Sequence, residues 1–119
     1  MTSSGGMIYL ASPYSSRAAA VRAARFHAAC RAAAHLMRAG HVVFSPIVHS
    51  HPLTAYGLPS EWSFWERCDR AFLERCDRLV VLTLDGWQRS VGVQAELRLA
   101  ADLTKPVSFL DPETIPDGT

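Results

Sequence analysis

The sequence predicts one small α/β domain built on a parallel sheet. Three observations predict it. Short apolar runs at Met7–Ala11, His41–Ser45, Leu79–Leu84 and Pro106–Leu110 alternate with longer helical stretches, giving the order β-α-β-α-β-α-β. The run Leu79-Val80-Val81-Leu82-Thr83-Leu84 has the apolar pattern of a strand covered on both faces. The length, 119 residues, suits a single core and leaves no room for two domains with a cleft between them.

Met7-Ile8-Tyr9-Leu10-Ala11 reads as the first buried strand, ended by the turn cluster Ser12-Pro13-Tyr14-Ser15. Ser15 or Ser16 can cap the following helix. That helix, over 17–39, is rich in Ala and Arg, both good helix formers. Val21, Ala28, Ala32 and Leu36 form its apolar stripe, flanked by Ala29, Ala33 and Met37, and Gly40 stops it. The second strand, His41–Ser45, ends at Pro46. Residues 47–59 hold Pro52, Gly57, Pro59 and two histidines and read as a loop. Ser60 caps a second helix over 61–75. After the third strand and the turn Asp85-Gly86-Trp87, Ser90 caps a third helix running to Leu103. Pro106–Leu110 is the last strand. The predicted architecture is doubly wound, flavodoxin- or Rossmann-like, with four to five parallel strands and helices on both faces. The expected layout is a flexible N-terminus at 1–6, a single domain at 7–111, and an irregular tail at 112–119.

Composition excludes several classes of function. Hydrophobic residues make up 49% and charged residues 19%, which rules out disorder, collagen and coiled coil. The net charge is +1, from 12 Lys+Arg against 11 Asp+Glu, so no basic excess holds a nucleic acid polymer. Lys105 is the single lysine, and most of the arginines read as helix surface. Three cysteines, an odd count, argue against a disulfide scaffold and for a reducing compartment. Nothing before Ile8 resembles a signal sequence, and no apolar run approaches the roughly 20 residues of a membrane span. A cytoplasmic protein without a membrane partner is expected.

Two carboxylates fall on apolar helix faces. Trp62, Trp65, Phe72, Leu73 and Cys76 form one stripe, and Asp69 fills its missing slot. Glu96 borders the stripe of Val93, Leu97 and Ala100 near a helix N-terminus. A carboxylate on an inward face must be paired, hydrogen-bonded or functional. For Asp69 the structural reading is an ion pair with Arg22 or Arg25; for Glu96 it is a place beside the core. Two inward acids in one small domain favour function, since perturbed acids cluster at sites.

The turns around them can hold a ligand. Ser12-Pro13-Tyr14-Ser15-Ser16 leads to a helix N-terminus, where hydroxyls and backbone N–H groups suit a phosphate, although the lysine and glycines of a P-loop are missing. Ser90-Val91-Gly92 opens the third helix similarly, and Gly92 can let a ligand approach the backbone. His49 and His51, two apart in an extended loop, can project together to line a rim or touch a base. Without a third ligand they make no zinc site, and no metal or cofactor is expected. The tryptophans read as packing.

Three motifs carry a resemblance. Ile8-Tyr9-Leu10-Ala11-Ser12-Pro13-Tyr14 resembles the opening strand and loop of the nucleoside 2-deoxyribosyltransferase superfamily. Asp69, Leu73, Cys76-Asp77 and Leu79–Leu82 resemble its acid-and-strand block. Ser90-Val91-Gly92-Val93-Gln94-Ala95-Glu96-Leu97 resembles its nucleophile motif. The chain is most similar to a small bacterial group of unknown function within that superfamily, which also carries the stretch Ser45-Pro46-Ile47-Val48-His49-Ser50-His51-Pro52.

The resemblance implies that Glu96 is the nucleophile, that Asp69 assists the leaving base as an acid, and that Tyr9 or Tyr14, with Tyr9 favoured by register, stands beside the nucleophile. It places Ser12, Ser15 and Ser16 at the sugar or its 5′-phosphate, and with Pro13, Tyr14, His49, His51, Ser90 and Gly92 these make up the expected substrate-binding set. Transferases of the superfamily usually carry Asp where Ser90 stands, and nucleotide N-glycosidases carry Ser. The implied function is therefore cleavage of the N-glycosidic bond of a nucleoside 5′-monophosphate through a glutamyl intermediate, the chemistry of a retaining carboxyl pair. Base exchange by a 2-deoxyribosyltransferase is the alternative. A non-catalytic nucleotide-binding or sensor module is the rival of another class. Relatives complete the pocket with a neighbouring subunit, so a homodimer or homotetramer with sites near the interface is expected.

Overall fold

A computed structural model describes residues 6–116. Residues 1–5 of the expected flexible N-terminus and 117–119 of the expected tail lie outside the described residues. Strands β1 (Met7–Ala11), β2 (Val42–Phe44), β3 (Arg78–Leu82) and β4 (Val107–Leu110) form one sheet in the order β2-β1-β3-β4. All three pairings are parallel. The helices are α1 (Ala19–Arg38), α2 (Pro46–Ser50), α3 (Trp62–Arg75) and α4 (Val91–Asp102).

Alternation along the strands sorts the core into two layers. Ile8 and Leu10 of β1 and Val80 and Leu82 of β3 pack with Ala28, Ala32 and Ala33 of α1. Tyr9 and Ala11, with Leu79 and Val81, face the other way, toward Leu73 of α3 and Val93 and Ala100 of α4. Alanine on α1 keeps that helix close to the sheet. Val21 and Met37, expected on or beside its stripe, are exposed instead. A 20-residue helix is about 30 Å long, and it outruns strands that span roughly 16 Å.

Several boundaries differ from the sequence reading. Residues 46–56, expected as loop, form α2 and a 3-10 turn at His51–Tyr56. Pro46 does end β2, but it also opens α2: its missing N–H is harmless at a first helical position. Ser45 supplies the cap, accepting from Val48 N–H at 3.2 Å. Neither Ser15 nor Ser16 caps α1, whose N-cap is Ala18, although Ser16 Oγ accepts from Ala18 N–H at 3.1 Å and steadies the lead-in. The N-cap of α3 is Glu61 rather than Ser60. β3 stops at Leu82 because the chain turns there, with Leu84 N–H donating to Leu82 C=O at 2.9 Å. The tail is not wholly irregular: Asp111 caps a 3-10 turn at Pro112–Thr114, and Ile115 packs on the α1 layer. All three cysteines, Cys30, Cys68 and Cys76, are free thiols. Among the described residues no helix is long and apolar enough to cross a membrane.

Candidate active site

The chain leaves β1 toward β2 on one side and reaches β3 on the other, so the strand order reverses between β1 and β3. Open α/β sheets bind ligands at the carboxyl ends of strands at such a point. An open pocket of about 420 Å³, its mouth included, lies there. The loop after β1 gives it Ser12, Tyr14 and Ser15, α3 gives Asp69, and the start of α4 gives Ser90, Gly92 and Glu96. These seven expected residues are thereby brought together.

Tyr9 sits beneath them, fully buried, and its hydroxyl donates to Glu96 Oε2. Burial, reinforced by the two carboxylates, pushes the Tyr9 phenol well up, so it stays protonated and remains a donor. Glu96 is 5% exposed and Asp69 also 5%. Burial pushes the Asp69 carboxyl from 3.8 up to about 7. It pushes Glu96 from 4.5 up to about 8; the Tyr9 hydrogen bond works against that rise, and the charge of Asp69 adds to it. The pair titrates jointly. Once Asp69 holds a proton, its repulsion of Glu96 vanishes while the Tyr9 donor remains. The singly protonated pair therefore shares one proton between two buried carboxyls, the Tyr9 hydrogen bond favouring charge on Glu96 and burial opposing it.

Among the described residues no arginine forms an ion pair with Asp69. Arg22 donates to Ser16 C=O at 2.5 Å, and Arg25 donates to Ser15 C=O at 3.0 Å and Asp85 C=O at 3.2 Å. Both guanidinium groups tie loops rather than pair with the acid, and Arg25 joins the two loops that flank the switch point. Asp69 Oδ1 and Ser12 Oγ are buried without a hydrogen-bond partner. Buried polar atoms in native proteins rarely go without one, so both are free to meet a substrate.

Ser90 caps α4 through Val93 N–H at 3.2 Å and also lines the pocket. Beside it an open recess is formed by Ser15, Arg25, Arg89, Ser90 and Gly92, among others. Two cations and a helix N-terminus make that recess suitable for an anion. At Gly92 the close neighbour is Trp62, whose Cε3 would lie 3.3 Å from an added Cβ.

Besides Tyr9, four expected residues stand outside the pocket lining. Pro13 is buried behind the first loop, and Ser16 faces a neighbouring surface with Arg22 and Glu61. His49 is exposed and meets the rings of Phe44, Trp65 and Phe72. His51 lies behind Tyr14: its Nδ1 is 2.6 Å from the Tyr14 hydroxyl, and its ring stacks on Phe26 at 4.4 Å. The two histidines do not project together, because they belong to helical turns, where residues two apart face different sides. Burial lowers the His51 pKa, with His27 and Arg22 adding to the effect. Ile47, Ser50, Trp62 and Trp65 also line the pocket, and sequence reasoning missed them. The Ser45-Pro46 helix start was the available signal for Ile47 and Ser50, which are three apart on α2. Among the described residues no three of His, Cys, Asp or Glu stand together as a metal ligand set.

Residues 6–111 match a family described as a domain of unknown function, DUF1937. The chain is also similar to the solved structure of a 2-deoxyribosyltransferase from the psychrotolerant bacterium Bacillus psychrosaccharolyticus. Identity is 26% and the TM-score 0.65, over 89% of this chain and 72% of that one. That enzyme is described as a biocatalyst for the synthesis of antiviral and antitumoral nucleosides. No curated protein matches the chain.

Proposed function

The chain belongs to the DUF1937 family, within the nucleoside 2-deoxyribosyltransferase superfamily, and we propose that it is an N-glycosidase of nucleoside 5′-monophosphates. One observation carries the reading: two buried acids share one pocket, one held by a tyrosine hydroxyl and the other without a partner. In the proposed reaction Glu96 attacks the anomeric carbon. The N-glycosidic bond breaks, its electron pair leaves with the base, and Asp69 protonates that base. Water then attacks the glycosyl–Glu96 ester and gives its proton to Asp69. The carboxylate returns, and the sugar phosphate leaves with a new hydroxyl.

Tyr9 orients Glu96 and favours its anionic form. Ser12 offers a free hydroxyl to the sugar, and Tyr14 and Ser15 complete that wall. Arg25, Arg89 and Ser90 are proposed to take the 5′-phosphate. Base exchange is the second reading, favoured by the similarity to a 2-deoxyribosyltransferase. We further propose that residues 7–111 make up the domain, that the protein is cytoplasmic, and that the chain forms a homodimer or homotetramer in which a neighbouring copy walls the open side of the cleft. Light scattering that found only monomers would remove that wall.

The test is a panel of nucleoside monophosphates and nucleosides, with free base measured. Wild type releases base from a monophosphate, and Glu96→Ala lowers release by at least about 10³-fold. No release from any substrate, or equal release by Glu96→Ala, overturns the reading. A base acceptor in the same assay separates exchange from hydrolysis.

A further inference from the structure

Asp69 and Glu96 line a second space besides the front pocket. It is a crevice between α3 and α4 that contains Glu66, Arg70, Leu73, Ala95 and Leu99 as well as the two acids. On α3, residues 66, 69, 70 and 73 recur at the spacing of one helix face, and 95, 96 and 99 do so on α4. The small side chain of Ala95 leaves a gap where these faces meet. Glu66 and Arg70 are exposed, whereas Asp69, Leu73 and Glu96 are buried, so the crevice leads from the surface to the acids. It gives the centre of a water molecule about 20 Å³. Roughly 10–15 Å³ suffices for one water if polar partners are at hand. Two carboxyls are at hand, and Asp69 Oδ1 has no partner within the protein.

We propose that this crevice is a water port: it holds one water against the acid pair and exchanges it with bulk solvent while substrate closes the front pocket. The inference rests on the glycosidase reading of the same two acids. Hydrolysis of the glycosyl–Glu96 ester needs water at a time when the sugar phosphate still fills the front. The oxygen of that water bonds to the anomeric carbon as the carbon–Glu96 bond breaks. Its proton goes to Asp69, which has just given its own to the base. A rear supply brings that water in beside Asp69, on the face the base has vacated, with the sugar still in place. At the rim, Arg70 and Glu66 pair at 3.7 Å with both side chains about half exposed. Such a pair is weak and opens readily for exchange.

The experiment compares high-resolution crystal structures and product ratios of wild type and Ala95→Leu. Wild type shows an ordered water within hydrogen-bond distance of Asp69 in the crevice, and Ala95→Leu shows none. With a monophosphate and a base acceptor, Ala95→Leu lowers the ratio of hydrolysis to exchange by about tenfold. Should Ala95→Leu not fold, Leu99→Phe fills the same gap from the next turn. A dry crevice in wild type overturns the port, as does an unchanged ratio in a variant whose crevice is filled. A wild type that holds the water but releases no base removes the glycosidase reading and leaves the water site standing.

Discussion

Tyr9 is where β1 meets the chemistry of the site. Its ring belongs to the core beneath α3 and α4, and its hydroxyl meets Glu96. A hydrogen bond to a charged group contributes roughly 1.5–3 kcal/mol. Tyr9→Phe removes the donor and keeps the ring, so the Glu96 carboxyl rises further. The expected outcome is a loss of about 10- to 100-fold in kcat/KM at neutral pH. The acidic limb of the pH–rate profile should move upward, because more base is needed to ionise Glu96. A profile that keeps its limb while falling in height would assign Tyr9 to packing alone. The sequence placed Asp69, Glu96 and Tyr9 through helix stripes and a motif. It could not reveal that Asp69 lacks an ion pair, since the reach of Arg22 and Arg25 depends on where two loops end in space.

Ser90 ties the proposed specificity to a structural element. It caps α4 and borders the recess with Arg25 and Arg89. Aspartate caps a helix as well as serine does, whereas loss of a cap costs about 1 kcal/mol. Ser90→Asp should therefore keep the melting temperature and weaken monophosphate binding by charge repulsion, leaving nucleoside binding in place. Calorimetry with a nucleoside and its monophosphate checks this; equal loss for both ligands would detach Ser90 from phosphate recognition. This cap was legible because Ser90 stands directly before the helical stripe. The start of α2 was legible in principle, since Ser45-Pro46 is a cap followed by proline. The prolines and glycine downstream outweighed it, and the pocket residues Ile47 and Ser50 were lost with the helix. His51 shows the other limit: its contact with Tyr14 spans 37 positions, a separation that no local pattern encodes.

For the whole molecule, the two acids set a pH dependence of stability. The parallel sheet and the doubly wound class followed from alternation, because apolar runs and helices of these lengths have few ways to pack, whereas the strand order β2-β1-β3-β4 needed the fold. The energetic consequence of burying Asp69 and Glu96 between those layers needed the fold. In the folded chain burial raises Asp69 to about 7 and Glu96 to about 8. Unfolded, both return to ordinary carboxyl values near 4. Between these limits the native state binds more protons than the unfolded state, so stability falls as pH rises from about 4 to about 8. His51 acts in the opposite sense, because its lowered pKa makes stability fall as pH drops through its usual range near 6.5. The cleanest window is therefore above pH 6.5. There the melting temperature of wild type should decline toward pH 8 by several degrees, from a loss on the order of 1–2 kcal/mol. Asp69→Asn keeps the shape, cannot ionise and relieves Glu96 of a neighbouring charge. It should melt above wild type at pH 8, with the gap narrowing at pH 6.5. Thermal scans of both proteins across this window decide the matter: parallel curves, or a wild type that gains stability toward pH 8, would mean that the buried acids are not held in the neutral form by the fold.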